Sequence, residues 1–177
     1  MKVLILGAGR VGGSLARALV ANGYDVSIVD QDKSSLSVLE EKLDIMSVIG
    51  HASHPLTLKK AGANEETIVI AVTSVDEVNI VACQIAKKHF NVKKTICRLA
   101  EKSYKDDLQL FGENSIDIVI NPENEVMHHL KELITHPGTE QIEEFADGKV
   151  NLVSVKAKKK GKLVGRALNG IRDDIPN

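Results

Sequence analysis

The segment MKVLILGAGRVGGSLARALVANGYDVSIVD, residues 1–30, decides the fold of this 177-residue chain. An apolar run from Val3 to Leu6 is followed by the glycine-rich turn GAGRVG at residues 7–12. An amphipathic stretch comes next, and a second apolar run ends at Asp30. This order predicts a strand, a tight turn, a helix and a second strand parallel to the first. Such a unit is typical of domains that bind dinucleotides.

The glycines of the turn have separate expected roles. Gly7 allows a sharp turn after the strand, Gly9 leaves room for a pyrophosphate against the backbone, and Gly12 lets the helix pack closely on the strand. The N–H groups that begin the helix then face the phosphates. We expect Asp30 to accept hydrogen bonds from both ribose hydroxyls of an adenosine. A carboxylate there disfavours the 2′-phosphate of NADP, but it does not separate NAD from ATP, ADP or AMP.

Composition narrows the class of protein. Hydrophobic residues make up 43% of the chain and aromatic residues 3%, so the core is aliphatic, as in parallel sheets covered by helices. The net charge of −1 gives no general electrostatic reason to bind nucleic acid. The chain opens directly with the first predicted strand, and we therefore expect a cytoplasmic protein. Cys83 and Cys97 lie in apolar patterns and are expected to be buried, reduced thiols.

Strand-like and helix-like patterns alternate as far as residue 135. The sequence predicts six strands in a doubly wound parallel sheet of order 3-2-1-4-5-6, an α/β Rossmann-type fold. Apolar faces of the intervening helices are expected at these residues: Val11, Leu15 and Leu19; Leu36, Leu39 and Leu43; Val78, Val81, Ala82, Ile85 and Ala86; Tyr104, Leu108 and Phe111; Val126, Leu130, Leu133 and Ile134.

The pattern changes near His136-Pro137-Gly138, which ends the last helix. We predict a nucleotide-binding domain at residues 1–135, a linker at 136–149, and the beginning of a small α+β domain at 150–177. Residues 150–157 alternate between apolar and polar, which is typical of a half-exposed antiparallel strand. The lysine-rich run at 156–162 is interpreted as a solvated hairpin tip.

Polar residues follow the later strands, where a doubly wound fold places its ligand. They are Gly50 and His51 after the third strand, Thr73 and Ser74 after the fourth, Arg98 at the end of the fifth, and Asn121 after the sixth. Thr73 and Ser74 either contact the ligand or cap the next helix. Arg98 needs an anionic partner, either a phosphate or a carboxylate of the protein.

The histidines do not form a persuasive metal site. His51 and His54 are spaced H-x-x-H, and His128 and His129 are adjacent, but no further ligands stand at zinc-like spacing. No metal is therefore predicted.

These motifs together resemble the RCK/KTN family of regulatory domains. The similar stretches are MKVLILGAGRVGGSLARALV at 1–20, VIGHASHPLTLKKAGANE at 48–65 and AVTSVDEVNIVACQIAKK at 71–88. The Gly50-His51 pair and the TSxDExN motif at 73–79 make the resemblance specific, because a glycine-rich turn alone suits any Rossmann domain. It identifies residues 1–135 as an RCK-N domain and residues 150–177 as the opening of an RCK-C domain.

The resemblance implies a regulatory role. It predicts NAD(H) or an adenine nucleotide (ATP or ADP) as ligand, a membrane-embedded Trk potassium-transporting subunit as partner, assembly of the chain with copies of itself, and a place on the inner face of the cell membrane. The residues carried over for phosphates, ribose and the rest of the pocket are Gly7, Ala8, Gly9, Arg10, Val11, Gly12, Asp30, Gly50, His51, Thr73, Ser74 and Arg98.

Two functions remain to be weighed, beside a third option of a covalent-modification switch or a purely structural oligomerisation domain. The first is a nucleotide sensor without catalytic activity that gates potassium uptake. The alternative is an NAD-dependent oxidoreductase, which needs a substrate domain with a general acid or base facing the nicotinamide. The apolar face around Val126, Leu130 and Ile134 is either a dimer contact or packs on the chain's own sheet.

Overall fold

The computed structural model describes residues 1–106, 115–135, 139–145, 150–155 and residue 164. The chain divides into two compact units, Met1–Glu123 and Asn124–Asn177. In the described parts of the chain, no helix combines the length and the apolar character that crossing a membrane requires.

The first unit is built on a six-stranded parallel sheet. Its order is β3-β2-β1-β4-β5-β6, which confirms the doubly wound arrangement predicted from the sequence. The crossover between β3 and β4 places the reversal of strand order between β1 and β4. The strands are β1 Lys2–Leu6, β2 Asp25–Asp30, β3 Met46–Ile49, β4 Thr67–Ala71, β5 Lys94–Arg98 and β6 Ile118–Ile120.

Helices connect the strands. They are α1 Arg10–Ala21, α2 Lys33–Glu40, α3 Pro55–Lys60, α4 Asp76–Phe90, α5 Lys102–Asp106 and α6 Pro122–Thr135. The helix predicted around Tyr104 begins at Lys102, whereas Leu108 and Phe111 lie outside the described residues. Pro55 and Pro122 are the first residues of α3 and α6, where a missing N–H removes no helical hydrogen bond.

The core has two layers, one on each face of the sheet. Alternate side chains of a strand point to opposite faces. Accordingly Leu4 and Leu6 belong to one buried cluster, which α3 and α4 complete, and Val3 and Ile5 belong to the other, which α1 and α2 complete. This arrangement explains why the central strands are almost continuously apolar.

The buried face of α1 differs from the predicted one. Val11 is 52% exposed, and the fully buried positions of the helix are Gly12, Gly13 and Ala16. Leu15 and Leu19 pack at the edge of the core. Small side chains bring α1 close to β1, so the prediction is confirmed for Leu15 and Leu19 and is wrong for Val11, while the closest contact is made by Gly12, Gly13 and Ala16.

The predicted apolar face of α4 is confirmed for Val78, Ala82, Ile85 and Ala86 and is wrong for Val81. Val81 is 41% exposed, whereas Asn79 is fully buried beside Ala82 and Cys83. A polar residue at the centre of the buried face was not expected from apolar periodicity alone. Its hydrogen bonds, described below, compensate for its burial.

Cys83 and Cys97 are buried and unpaired by a disulfide, as predicted. A hydrogen bond with Cys97, together with burial, raises the pKa of the Cys83 thiol well above its usual value. The two side chains therefore serve as small apolar parts of the contact between α4 and β5.

The second unit contains an antiparallel strand pair, β7 Thr139–Phe145 and β8 Val150–Val155. The strand predicted from residue 150 is present, but the segment assigned to a linker contains β7. The polar sequence of β7, TEQIEEF, concealed it. The lysine-rich run at 156–162 lies outside the described residues. In α6 the side chains of Val126, Leu130 and Ile134 are exposed, and their assignment as a dimer contact stays a prediction.

Candidate functional site

A cavity of about 440 Å³ opens at the carboxyl ends of the parallel strands. It lies where the strand order reverses, the usual position of a ligand in an open α/β sheet. Its volume falls in the range of small-molecule sites. The described residues that line it are Gly7, Gly9, Arg10, Val11, Val29, Asp30, Gln31, Gly50, His51, Ala52, Val72, Thr73, Ser74, Val75, Val78 and Arg98.

Gly7 forms the turn that carries the chain from β1 into the cavity wall. Its φ of +107° is a conformation that other residues rarely adopt, and its N–H donates to the carbonyl oxygen of Val29 at 2.8 Å. A Cβ at this position would lie 3.1 Å from the backbone of Thr73. The turn therefore depends on glycine both for its conformation and for its close approach to β4.

The amino-terminal end of α1 faces the cavity through Gly9, Arg10 and Val11. Among the described residues no side chain caps this helix, and its first turn carries no acidic residue. Backbone N–H groups at an uncapped helix start carry partial positive charge and attract anions. The guanidinium of Arg10 adds a full positive charge. This wall of the cavity is therefore suited to phosphate groups.

Asp30 stands at the end of β2, next to the glycine-rich turn. One carboxylate oxygen accepts from the N–H of Ala8 at 2.6 Å, and the other accepts from the N–H of Asp32 at 2.8 Å. Each oxygen has a second lone pair for a further donor. Asp30 thus fixes the glycine-rich turn against β2 and still presents acceptors to the cavity.

Ala8 and Gly12 support the turn from behind. Ala8 is buried, and its N–H is bound by Asp30. A Cβ at Gly12 would collide with the carbonyl oxygen of Gly7. Both residues were predicted to take part in the site, and the structure places them under the turn, among the groups that shape it.

Gly50 and His51 line the cavity beyond β3. The N–H of Gly50 donates to the carbonyl oxygen of Asp30 at 2.9 Å, and a Cβ there would lie 2.8 Å from the Thr57 hydroxyl. His51 Nδ1 lies 2.9 Å from the Ser53 hydroxyl, and its ring stacks on that of His54 at 4.8 Å between centroids. The glycine thus permits α3 to pack closely, while the imidazole of His51 is oriented beside the cavity.

Thr73 and Ser74 lie at the end of β4, and neither caps α4. The N-cap residue is Val75, and among the described residues no side chain caps it, so the capping alternative is wrong. The Thr73 hydroxyl instead donates to Asn79 Oδ1 at 2.7 Å. Because this bond turns the hydroxyl toward α4, Thr73 offers the cavity mainly its backbone, and Ser74 is exposed beside it.

Asn79 is the structural residue that sequence reasoning missed. Its Oδ1 accepts from the Thr73 N–H at 3.0 Å, and its Nδ2 donates to the carbonyl oxygens of Thr73 at 3.2 Å and Arg98 at 3.0 Å. One buried amide therefore joins the ends of β4 and β5 to α4. Its position in the TSxDExN motif was the one feature of the sequence that pointed to Asn79.

Arg98 reaches the cavity from the end of β5. One terminal nitrogen donates to Glu123 Oε1 at 2.9 Å, and the other makes a long contact of 3.4 Å with the Thr73 carbonyl oxygen. Of the two anionic partners expected for Arg98, the structure shows the protein carboxylate, and the phosphate stays a prediction. The Nε of Arg98 is buried, and among the described residues no acceptor binds it.

Asn121, the remaining polar residue predicted at the strand ends, has a structural role. It is buried, and its side-chain amide donates to the carbonyl oxygen of Ala100 at 2.9 Å. Asp76 has a similar part, because its Oδ2 accepts from the N–H groups of Ala100 and Glu101, both at 2.8 Å. The two side chains hold the loop that follows β5.

The TrkA-N domain model matches residues 3–122 of the chain. Over 180 residues the chain is 43% identical to the Trk system potassium uptake protein TrkA of Vibrio alginolyticus, and the match covers 100% of this chain and 39% of that protein. The chain thus spans well under half the length of this curated relative.

Solved structures share the fold of the chain. The TrkA-N domain of the inner membrane protein ybaL from Escherichia coli superposes with a TM-score of 0.65 at 21% identity, covering 75% of this chain and 96% of that one. The GsuK channel bound to NAD gives a TM-score of 0.65 at 19% identity, covering 82% of this chain and 25% of that one.

Proposed function

This chain belongs to the TrkA-N domain family, and on that premise we propose that it is a regulatory subunit that binds NAD(H), ATP or ADP and controls a membrane-embedded Trk-type potassium transporter. The main support is that an uncapped helix start, two arginines and one strand-end carboxylate all line the same cavity. The cationic groups are suited to the phosphates and the carboxylate to the ribose of an adenine nucleotide.

Each side of the cavity has a defined part in this proposal. Gly9, Arg10 and Val11 contact the phosphates through the start of α1. Asp30 accepts from the ribose hydroxyls and rejects a 2′-phosphate by charge repulsion. The other wall is completed by Gly50, His51, Thr73, Ser74 and Arg98.

The proposed activity is binding without turnover. A ligand controls a partner only by as much as its affinity differs between two conformations, and no chemical step is needed. Relatives named as potassium uptake proteins support this role over an oxidoreductase. The chain then acts in the cytoplasm, at the inner face of the membrane through its transporter partner and assembled with further copies of itself, and residues 150–177 begin an RCK-C domain.

Calorimetric titration with NADH, NAD, ATP, ADP and NADPH tests the binding part. We expect binding of the nucleotides with a free 2′-hydroxyl, at least tenfold weaker binding of NADPH, and a loss of affinity in Asp30→Ala. Asp25→Ala is the matched control, because it removes the same charge from the other, exposed end of β2. Circular dichroism verifies that both variants fold.

Equal affinity for NADH and NADPH, or no binding of any nucleotide, would contradict the proposed ligand. A separate assay addresses catalysis: incubation with NADH and carbonyl substrates, followed by the absorbance of the reduced cofactor. Steady oxidation of NADH would favour the oxidoreductase. Control of transport is measured as nucleotide-dependent potassium flux into vesicles that carry the transporter, with and without the chain.

A further inference from the structure

The ion pair between Arg98 and Glu123 joins the cavity to the beginning of α6. Arg98 ends β5 and lines the cavity, and Glu123 is the second residue of α6. The donor and acceptor atoms are 2.9 Å apart. One guanidinium is thus shared between the proposed nucleotide site and the helix that leaves the first compact unit.

The guanidinium is incompletely satisfied. Its contact with the Thr73 carbonyl oxygen is 3.4 Å long, and Nε, which is buried, has no acceptor among the described residues. A buried N–H of a charged group gains considerably from an anionic acceptor. A phosphate group presents several such oxygens and can bind a guanidinium with two parallel hydrogen bonds.

We propose that Glu123 competes with the phosphates of the nucleotide for Arg98, so that nucleotide binding weakens the hold of β5 on the first turn of α6. This inference rests on the function proposed above and adds its regulation. Arg98 is then the residue that senses the phosphates, and Glu123 is the group it releases.

The exposure of the two side chains favours the phosphate in this competition. The Glu123 side chain is 56% exposed and that of Arg98 is 20% exposed, so the carboxylate regains water when it is released. Exposed ion pairs are weak. Glu123 also stays favourable near the positive start of α6 without its partner. A phosphate with up to two negative charges, held by the α1 terminus, is the stronger acceptor.

The proposal predicts an affinity gain when Glu123 loses its charge. Glu123→Gln keeps the size of the side chain and removes the competitor, and we expect it to bind ADP and NADH roughly three- to tenfold more tightly, as the loss of a weak ion pair permits. Glu66→Gln is the matched control. Glu66 is exposed just before β4, at the opposite end of the sheet, and this variant should bind like the original chain.

Calorimetry on the original chain, Glu123→Gln, Arg98→Gln and the double variant completes the test. In the Arg98→Gln background, we expect the Glu123 substitution to change the affinity less than twofold. Hydrogen exchange at the amides of residues 125–127 gives a readout that does not depend on affinity. It should accelerate when ADP is added to the original chain and be already fast in Glu123→Gln.

Unchanged or weaker binding by Glu123→Gln, with nucleotide still bound, overturns the competition alone and leaves the proposed function in place. An equal gain in the Arg98→Gln background also overturns it, since the effect would then be one of general charge. Absence of nucleotide binding in all four proteins overturns the proposed function, and the competition with it.

Discussion

The three glycines of the GAGRVG turn are required for different physical reasons. Gly7 needs its positive φ, and Gly12 lies too close to the carbonyl oxygen of Gly7 for any side chain. Gly9 differs from both, because its φ of −66° suits any residue and a Cβ there would meet no atom of the described residues within 4 Å. Folding therefore does not require glycine at position 9, whereas the proposed phosphate contact does.

Gly9→Ala should separate binding from folding. The added methyl group occupies the space that a pyrophosphate needs against the start of α1, so we expect nucleotide affinity to fall at least tenfold. The free energy of unfolding should change by less than about 0.5 kcal/mol, because the substitution is exposed and unstrained. Calorimetric titration and urea unfolding measure the two effects. A large loss of stability would contradict this assignment of Gly9.

Asn79→Ala should destabilise the fold and damage the site together. It leaves the partly buried polar groups of Thr73 and Arg98 without the fully buried amide that binds them. We expect a loss of roughly 2–4 kcal/mol in the free energy of unfolding, since several partly buried groups lose their partner. Val81→Ala, at an exposed position of the same helix, is the control and should change stability by less than about 0.5 kcal/mol. Similar losses in both variants would refute the joining role of Asn79.

The packing of α1 on β1 requires the backbone of Gly12 to lie close to the carbonyl oxygen of Gly7. A methyl group at Gly12 collides with the Gly7 carbonyl oxygen, whereas one at Gly13 makes an ordinary contact of 3.5 Å with Leu39. We expect Gly12→Ala to cost roughly 3 kcal/mol or more. Gly13→Ala should be neutral or stabilising by about 0.5–1 kcal/mol, as alanine favours helix. Thermal unfolding of the two variants compares them, and equal melting temperatures would contradict the close approach.

Asp117 holds the β5–β6 edge of the sheet to α4. Its carboxylate accepts from Lys87 Nζ at 2.8 Å and from the N–H and hydroxyl of Thr95 at 2.7 and 2.9 Å. Partial burial opposes ionisation, but the hydrogen bonds from Lys87 and Thr95 prevail and lower the pKa of Asp117 below 3.8. This carboxylate therefore belongs to the groups that stabilise the fold in its ionised form.

The lowered pKa of Asp117 determines how its contribution to the free energy of unfolding changes with pH. The contribution of Asp117 is fully present above its ordinary pKa of 3.8 and is lost as the pH falls through the lower folded-state value. Asp117→Asn should cost roughly 1–2 kcal/mol near neutral pH, since the ion pair and its hydrogen bonds are only partly exposed. Urea unfolding at several pH values should find the difference shrinking below pH 3.8. A pH-independent difference would indicate a packing effect.

Strand and helix positions of the parallel sheet followed from the sequence because they depend on local patterns, whereas the polar strand β7 did not. Continuous aliphatic runs gave the buried strands, and the turn residues gave the connections. The apolar faces of α1 and α4 followed in part, but the burial of Gly13 and Asn79 and the exposure of Val11 and Val81 did not, since these depend on three-dimensional contacts. The lining of the cavity was largely anticipated from strand ends, whereas the pairing of Arg98 with Glu123 joins residues far apart in sequence.

The proposed ligand contacts all come from the first compact unit, Met1–Glu123. A ligand that binds only the folded state stabilises it by about 2.7 kcal/mol at a concentration one hundred times its Kd. We therefore expect saturating NADH to slow hydrogen exchange in β1, α1, β2 and β4. The amides of β7 and β8 should not be protected. Equal protection of both units would place ligand contacts in the second unit as well.

The pairing of β1 has a consequence for synthesis of the chain. One side of β1 pairs with β2, but the other pairs with β4, where Lys2 is opposite Thr67. A nascent chain on the ribosome can close the first pairing early, and it must keep the other edge of β1 unpaired until β4 emerges. Non-local pairings of this kind slow folding and leave an edge open to wrong partners. The glycine-rich turn, although synthesised before β4, therefore gains its contact with the end of β4 only when β4 has been translated.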